Sequence, residues 1–306
     1  MASAGLAIVP LATPKLAFVL HAALVALLMV SGYAPFHHRP RRARESLVRM
    51  QNIFSPAGKR ALRAAMSRRP LLAFDYDGTL APIVPVPDVA TTPVGVARRL
   101  AQLARLRPVA IVTGRAIDDV RSRLGFTPQA IIGNHGAEWE REEEGGARPD
   151  ASSQLDPVRD RLARHGAELA NLGVRVEDKQ LSLALHYRGA RDSARAVQRI
   201  RALLAAEAGD IEVFDGKRVV NVVPRGAPDK GQALLRLVAA AGVESAVFIG
   251  DDVNDEAVFR VAPPDWLTVR VGAAAADSSA AFYLDTQSLV PLLLQDMIDL
   301  LSPDAA

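Results

Sequence analysis

Asp75 and Asp77 place two carboxylates two residues apart, where the apolar run Leu71-Leu72-Ala73-Phe74 stops. That run is set off by Arg68, Arg69 and Pro70 on one side and Gly78 on the other, as expected for a buried strand of a parallel sheet. The carboxylates then fall at its C-terminal edge, where open α/β sheets hold their ligands. Alternation along the strand sends Asp75 and Asp77 to one side and Tyr76 to the other. Two like charges this close repel each other unless a cation or a shared proton intervenes. A hard divalent ion with oxygen ligands meets that need, and Mg²⁺ is the usual one where a phosphate is also bound. An Asp-rich turn closed by Gly78 is the plainer alternative.

Other segments bear on that choice. Thr113-Gly114-Arg115 follows the strand-like Val109–Val112, and a hydroxyl with backbone N–H groups at a strand-to-helix turn can hold a phosphate oxygen. On its own the triplet would be an ordinary turn. Asp229 reads as the N-cap of a helix opened by Lys230, where an ammonium adds to the positive helix end and suits a dianionic phosphate. After the strand-like Ala246–Ile249, the acids Asp251, Asp252, Asp255 and Glu256 are too dense for a solvated turn. One of them is expected to complete a metal site. His135, after the strand Ala130–Gly133, fits a structural histidine as well as a substrate-facing one.

Asp75-Tyr76-Asp77-Gly78-Thr79-Leu80 resembles the first motif, DxDGT, of the haloacid dehalogenase (HAD) superfamily of phosphatases. Thr113-Gly114-Arg115, Lys230 and Gly250-Asp251-Asp252-Val253-Asn254-Asp255 match the later motifs in order. Gly133-Asn134-His135-Gly136, Glu177-Asp178-Lys179 with His186-Tyr187-Arg188, and Lys230-Gly231-Gln232-Ala233 look like the trehalose-6-phosphate phosphatases within that superfamily. The resemblance runs roughly from Leu71 to the C-terminus. It implies Mg²⁺-dependent hydrolysis of trehalose 6-phosphate, a step in trehalose biosynthesis. Asp75 would be the nucleophile that forms an aspartyl-phosphate, Asp77 the general acid and base, and Thr113 and Lys230 the holders of the phosphoryl oxygens. The metal would be bound by Asp75, the backbone carbonyl of Asp77, and Asp251, with Asp252 or Asp255 behind them or orienting Lys230. Substrate contacts are expected from Gly114, Arg115, Asn134, His135, Glu177, Lys179, His186, Arg188 and Asn221.

The chain departs from the family pattern at two positions. These phosphatases usually carry Glu three residues before the closing Pro of the inserted domain, where this chain has Asn221 before Pro224. Their last motif usually reads GDDxTDE, and here Asn254 replaces the Thr. A phosphatase of the same cap type acting on sucrose phosphate or a glycosyl phosphoglycerate is therefore the second reading. A catalytically silent sugar-phosphate sensor is a third, opposed by the retention of Asp75, Asp77, Thr113, Lys230 and Asp251 together.

The elements that must position these residues form an α/β fold. A doubly wound parallel-sheet core of Rossmann-like HAD type is expected over residues 50–136 and 224–306, with an α+β cap of αββαββ order inserted at 137–223. Ser55-Pro56 supplies a cap and first-turn proline for a short helix through about Ser67. Pro82 to Pro93, with Pro85 and Pro87, is a loop over the site entrance. Val96, Leu100, Leu103 and Leu106 mark an amphipathic helix over Val94–Leu106, and Ile117–Leu124 a further one. Leu267–Val271 and Ala281–Leu284 are strands, and Val290–Leu301 closes the chain as a helix.

In the insert, the charged segment Arg141–Asp150 is a boundary loop. It is followed by a helix near Pro157–Leu172, strands Val174–Glu177 and Leu181–Tyr187, a second helix Ala190–Ala208, and strands Ile211–Phe214 and Val219–Val223 joined through Asp215-Gly216. Both helices belong on one face of an antiparallel sheet. Leu181, Leu183 and Leu185 point to one side, and Ser182, Ala184 and His186 to the other, a small polar surface suited to a sugar. A solvated cluster of Glu177, Lys179, His186 and Arg188 is the alternative.

The chain of 306 residues has no cysteine, which excludes disulfides, thiolate metal sites and a cysteine nucleophile. The pI of 9.4 points toward nucleic acid only until the charge is located. Residues 1–49 hold six Lys/Arg against one acid, so the +3 total leaves residues 50–306 slightly acidic, and no nucleic-acid partner is expected. Residues 1–49 form a hydrophobic and basic extension, apolar over residues 16–34 and then basic from His37 to Arg44. It reads either as a membrane anchor that leaves the catalytic part in the cytoplasm or as the product of a mis-called start before Met50. A signal peptide is disfavoured because the positive charge follows the apolar run. The partner is a small sugar phosphate, and the chain is expected to act as a monomer.

Overall fold

The computed structural model describes residues 50–84, 89–139 and 153–302. The extension 1–49, the prolines Pro85 and Pro87, and the boundary loop Arg141–Asp150 lie outside the described residues. Among those described, no helix is long and apolar enough to cross a membrane.

The elements in chain order begin with β1 (Gln51–Asn52), α1 (Pro56–Ser67), β2 (Leu71–Phe74), α2 (Val94–Leu106), β3 (Val109–Val112), α3 (Ile117–Arg121), β4 (Ala130–Gly133) and β5 (Glu138–Trp139). Next come α4 (Asp156–Arg164), α5 (Gly166–Asn171), β6 (Arg175–Asp178), β7 (Leu183–His186), α6 (Ser193–Leu204), β8 (Ile211–Gly216) and β9 (Val219–Pro224). The chain ends with α7 (Lys230–Ala240), β10 (Ala246–Gly250), α8 (Glu256–Val261), β11 (Leu267–Val271), β12 (Phe282–Leu284) and α9 (Val290–Leu301).

The larger sheet runs β1-β12-β11-β10-β2-β3-β4-β5 and is parallel except for β5. β2 lies inside it, hydrogen-bonded to β10 and β3. All four β2 residues are buried, which is why the segment is continuously apolar rather than alternating. Its side chains divide between the two faces. Leu72 and Phe74 join Val109, Ile111, Val247 and Ile249 against α1, α2 and α9, through Leu62, Leu100, Leu103, Leu294 and Met297. Leu71 and Ala73 join Ala110, Val112 and Phe248 against α7 and α8, through Leu234, Val238 and Phe259. Each fully buried side chain of this size contributes roughly 1.5–3 kcal/mol relative to exposure. Helices on both faces of a parallel sheet make the core the doubly wound α/β fold expected.

The second sheet is antiparallel, in the order β6-β7-β9-β8. One face packs under α4, α5 and α6, where Val158, Leu162, Leu169, Ile200 and Leu203 meet Leu183, Leu185, Val220 and Val222. The opposite face carries Ala184, His186 and Asn221, as the alternation in β7 requires.

In the insert, two local features differ from expectation, one in a helix over the sheet and one at the sheet's edge. The helix expected near Pro157–Leu172 is divided at His165 into α4 and α5, and Gly166, which favours helix interiors least after proline, follows the division. In the β8–β9 hairpin the strands extend to the pair Gly216↔Val219, so the two-residue turn is Lys217-Arg218, with Arg218 at φ 59°. A Cβ on Gly216 would stand 2.8 Å from Val219 Cγ1, so glycine lets the ladder close to its last pair. The shift puts Lys217 at the tip.

Candidate active site

Tyr76 is fully buried in the core, while Asp75 and Asp77 line a cavity of about 140 Å³ at the C-terminal edge of β2. The period-two geometry thus holds past the strand end. Gly78, at φ +87°, turns the chain away, and a Cβ there would fall 2.1 Å from Asp251 Oδ2. Only glycine allows this turn to lie against that carboxylate.

Asp75 Oδ1 accepts a hydrogen bond of 2.6 Å from Lys230 Nζ, which also donates to Asp255 Oδ1 at 2.8 Å. Lys230 opens α7 behind its N-cap Asp229, whose Oδ1 accepts from Gln232 N at 2.8 Å. The second oxygen of Asp255 accepts from the main-chain N–H groups of Asp251 and Asp252 at 2.8 and 2.9 Å. Asp255 is therefore the acid that orients Lys230. Asp252 instead caps the short turn at Val253–Asp255.

Asp75, Asp251 and Asp255 each present a carboxylate oxygen within 4.8 Å of one another, all buried. Burial, then the charges of Asp255 and Asp251, push the Asp75 pKa well up against the pull of Lys230. Burial also raises Asp251, to about 6, with Asp255 adding to it and Lys217 opposing. For Lys230 burial works downward, but Asp255 and Asp75 outweigh it and hold the ammonium charged above its usual range. Burial leads for both carboxylates and the crowding of negative charge adds to it, while for Lys230 the neighbouring carboxylates prevail over burial. Asp251 Oδ1 is buried with no hydrogen-bond partner. An orphan carboxylate oxygen beside Asp75, in a locally anionic pocket, fits a hard divalent cation. The Asp77 side chain does not join this cluster, which leaves its main-chain carbonyl as the expected ligand.

Asp77 instead faces Arg115, whose Nε and Nη2 each donate to it at 2.7 Å. Arg115 Nη1 donates to Asp119 Oδ2 at 2.7 Å, and the guanidinium lies 5.4 Å from the centroid of the Tyr76 ring. Arg115 was expected to contact substrate. It lines the cavity, but these donors go to Asp77 and Asp119. Burial alone would raise Asp119, yet hydrogen bonds from Arg123 and Arg115 hold it below its usual value. Thr113 is buried at the cavity, and its Oγ1 accepts from Arg115 N at 3.2 Å. Gly114 also lines the cavity, and its carbonyl accepts from Lys179 Nζ at 2.9 Å.

Glu177, Lys179, His186, Arg188 and Asn221 line the cavity from the second sheet. The Glu177 carboxylate pairs with His186 Nε2 at 2.7 Å, and this hydrogen bond, against burial, lowers its pKa to about 2. Arg188 Nη1 donates to Val84 O at 3.0 Å, tying the insert to the loop after β2. His135 and Asn221 approach from opposite sheets, and His135 Nδ1 and Asn221 Nδ2 are both buried without a hydrogen-bond partner. Burial, then the charges of Lys179 and Lys230, push the His135 pKa well down, which favours the neutral ring.

Asn134 is placed otherwise than expected. It is buried behind the cavity wall, with its amide hydrogen-bonded to Glu138, to the Lys179 carbonyl and to Ser182. Lys217, absent from the expected set, lines the cavity and contacts the Asp251 carboxylate from the hairpin tip. The signal was a lysine one residue past Asp215-Gly216. It is readable only once the turn is located.

Residues 73–288, more than two thirds of the chain, match the sequence profile of a family described as Trehalose-phosphatase. A protein named trehalose-phosphate phosphatase from Mycobacterium ulcerans is 32% identical over 212 residues, 66% of this chain and 54% of that one. The chain thus spans about half the length of that relative. The structure of the C-terminal domain of a C. albicans trehalose-6-phosphate phosphatase aligns over 81% of this chain and 98% of its own, with TM-score 0.69 and 22% identity, a likeness of fold. A crystal structure titled trehalose-6-phosphate phosphatase related protein aligns over 75% and 97%, with TM-score 0.62 and 25% identity.

Proposed function

The chain belongs to the trehalose-phosphatase family, and from that membership we propose that it is a Mg²⁺-dependent phosphatase that hydrolyses trehalose 6-phosphate to trehalose and phosphate. The observation that carries this reading is the Asp75–Lys230 contact inside a buried anionic cluster that includes an unpartnered Asp251 oxygen. A carboxylate so placed is a nucleophile aimed at a group that brings its own negative charge. Asp75 attacks phosphorus as the bond to the sugar oxygen breaks. Asp77, in its protonated form with one oxygen released from Arg115, gives the departing oxygen a proton, then as the carboxylate takes one from the water that cleaves the aspartyl-phosphate and frees both phosphate and Asp75. Lys230 and Thr113 hold the phosphoryl oxygens as charge redistributes. Bound by Asp75, Asp251 and the Asp77 carbonyl, Mg²⁺ would offset the repulsion between the attacking carboxylate and the phosphate.

The polar face of the second sheet would take the sugar. Its groups Glu177, Lys179, His186 and Arg188 line the same cavity as Asp75. A second reading, a phosphatase of the same cap type for sucrose phosphate or a glycosyl phosphoglycerate, is favoured by Asn221. Its buried Nδ2 lacks a partner and offers a donor where the family's usual Glu would only accept. We also take the enzyme to act as a monomer in the cytoplasm; that it acts without nucleic acid follows from the slightly acidic charge of residues 50–306.

Phosphate release from trehalose 6-phosphate, glucose 6-phosphate and sucrose 6-phosphate, with Mg²⁺ and after its chelation, tests the reading. The disaccharide of trehalose should lead by at least about tenfold in kcat/KM, roughly 1.4 kcal/mol, and chelation should abolish release. A preference for sucrose 6-phosphate or a phosphoglycerate would transfer the assignment to the second reading.

A further inference from the structure

Ser182 and Asn134 are each only 1% exposed, and they meet across the boundary between the two sheets. Ser182 Oγ donates to Asn134 Oδ1 at 2.6 Å, over a sequence separation of 48. Neither residue lines the active-site cavity. We infer that this pair is a positioning device which seats the β6–β7 hairpin of the insert on the turn after β4, itself bonded to the loop that ends β3, and so sets Lys179 against Gly114. The inference rests on the phosphatase reading.

Asn134 is the joint, held on both sides. Its main-chain N–H donates to Arg115 O at 2.8 Å, and the next N–H, of His135, donates to Thr113 O at 3.0 Å. These bonds need the left-handed backbone that both residues adopt, φ 47° and 59°, a conformation asparagine tolerates better than most residues. The Asn134 side chain then faces the insert. Its Nδ2 is anchored by Glu138 Oε2 at 2.7 Å and reaches Lys179 O at 3.4 Å, while Oδ1 takes the Ser182 hydroxyl. Glu138 in turn accepts from Ile117 N at 3.1 Å. The amide has no free group left for a substrate.

The hairpin side is equally constrained. Lys179 N donates to Ser182 O at 2.9 Å, so placing Ser182 places Lys179. The Lys179 ammonium then donates to Gly114 O, between Thr113 and Arg115. One buried hydroxyl thus links the sugar-facing hairpin to the loop that carries Thr113 and the Asp77 partner Arg115. A buried hydrogen bond of this kind is specific because losing one partner leaves the other without water to replace it.

A double-mutant cycle reads this coupling. Ser182→Ala, Lys179→Ala and the double variant are assayed for kcat/KM on trehalose 6-phosphate, with p-nitrophenyl phosphate as the second substrate, and for amide exchange over residues 113–116. Ser182→Ala should lose about tenfold in kcat/KM and loosen exchange at 113–116. The double variant should be within about twofold of Lys179→Ala alone, because both changes break one chain of contacts. Multiplicative losses, or exchange at 113–116 unchanged in Ser182→Ala, would overturn the inference and leave the pair as ordinary packing. Should Ser182→Ala fail to fold, Ser182→Cys, slightly larger and with a weaker donor, must still show the non-additivity. If the wild-type enzyme turns over only the aryl phosphate, the substrate assignment fails, while the cycle on that substrate and the exchange data still decide the positioning.

Discussion

Arg115 holds Asp77 by both carboxylate oxygens, with Nε–Oδ2 and Nη2–Oδ1 each at 2.7 Å. The contact is bidentate, a geometry that guanidinium provides and ammonium does not. Arg115→Lys keeps the charge and loses the fork, so Asp77 should be free to rotate. We expect kcat for trehalose 6-phosphate to fall about 10- to 100-fold, roughly 1.4–2.7 kcal/mol, with KM changed less. Steady-state kinetics check this, and a loss confined to KM would assign Arg115 to substrate binding instead.

Asp255 accepts from Lys230 and from two main-chain N–H groups. Asp255→Asn would turn an amide donor toward donors and weaken the hold on a buried ammonium. Breaking a buried pair of this kind costs about 3–5 kcal/mol. Urea unfolding should report a loss of that order, together with near-complete loss of turnover because Lys230 is no longer aimed at Asp75.

The Glu177–His186 contact makes a pH prediction. The Glu177 pKa lies at about 2 in the folded protein, below a glutamate's ordinary 4.5, so the unfolded chain binds the proton more readily. The stabilisation is therefore fully present above about pH 5 and is lost as pH falls toward 2. The gap in urea midpoint between wild type and Glu177→Gln should be largest near neutrality and narrow between about pH 4.5 and 2. A gap independent of pH would show that the carboxylate charge plays no part.

Asp251 Oδ1 lacks a partner in a buried anionic cluster. Asp251→Asn removes one negative charge from that cluster, so the variant should keep its fold while its melting temperature ceases to rise on adding Mg²⁺. A wild-type-sized thermal shift in Asp251→Asn would place the cation elsewhere.

The fold could be read from the sequence where one physical signal dominated. β2, β3, β4 and β10 are continuously apolar because both faces are covered, and α2 and α9 kept their expected ends because Val96, Leu100 and Leu103, or Val290, Leu294 and Met297, recur at helical spacing. Asp75 and Lys230, 155 residues apart, could be paired because each stood at a strand end or helix start with a motif around it. What escaped depended on neighbours distant in sequence. The two-residue strands β1 and β5 exist only through pairing with β12 and β4. Asn134 looked like a substrate contact because nothing local shows that Ser182 consumes its amide. Lys217 was hidden by a hairpin turn that lies two residues later than Asp215-Gly216 suggested.

Trapping the covalent intermediate tests the central claim most directly. Enzyme mixed with radiolabelled trehalose 6-phosphate and Mg²⁺, then quenched in acid within a single turnover, should carry the label on the peptide containing Asp75, and Asp75→Asn should carry none. Label on any other residue, or phosphate release by Asp75→Asn above about a hundredth of the wild-type rate, roughly 2.7 kcal/mol of barrier, would contradict nucleophilic catalysis by Asp75.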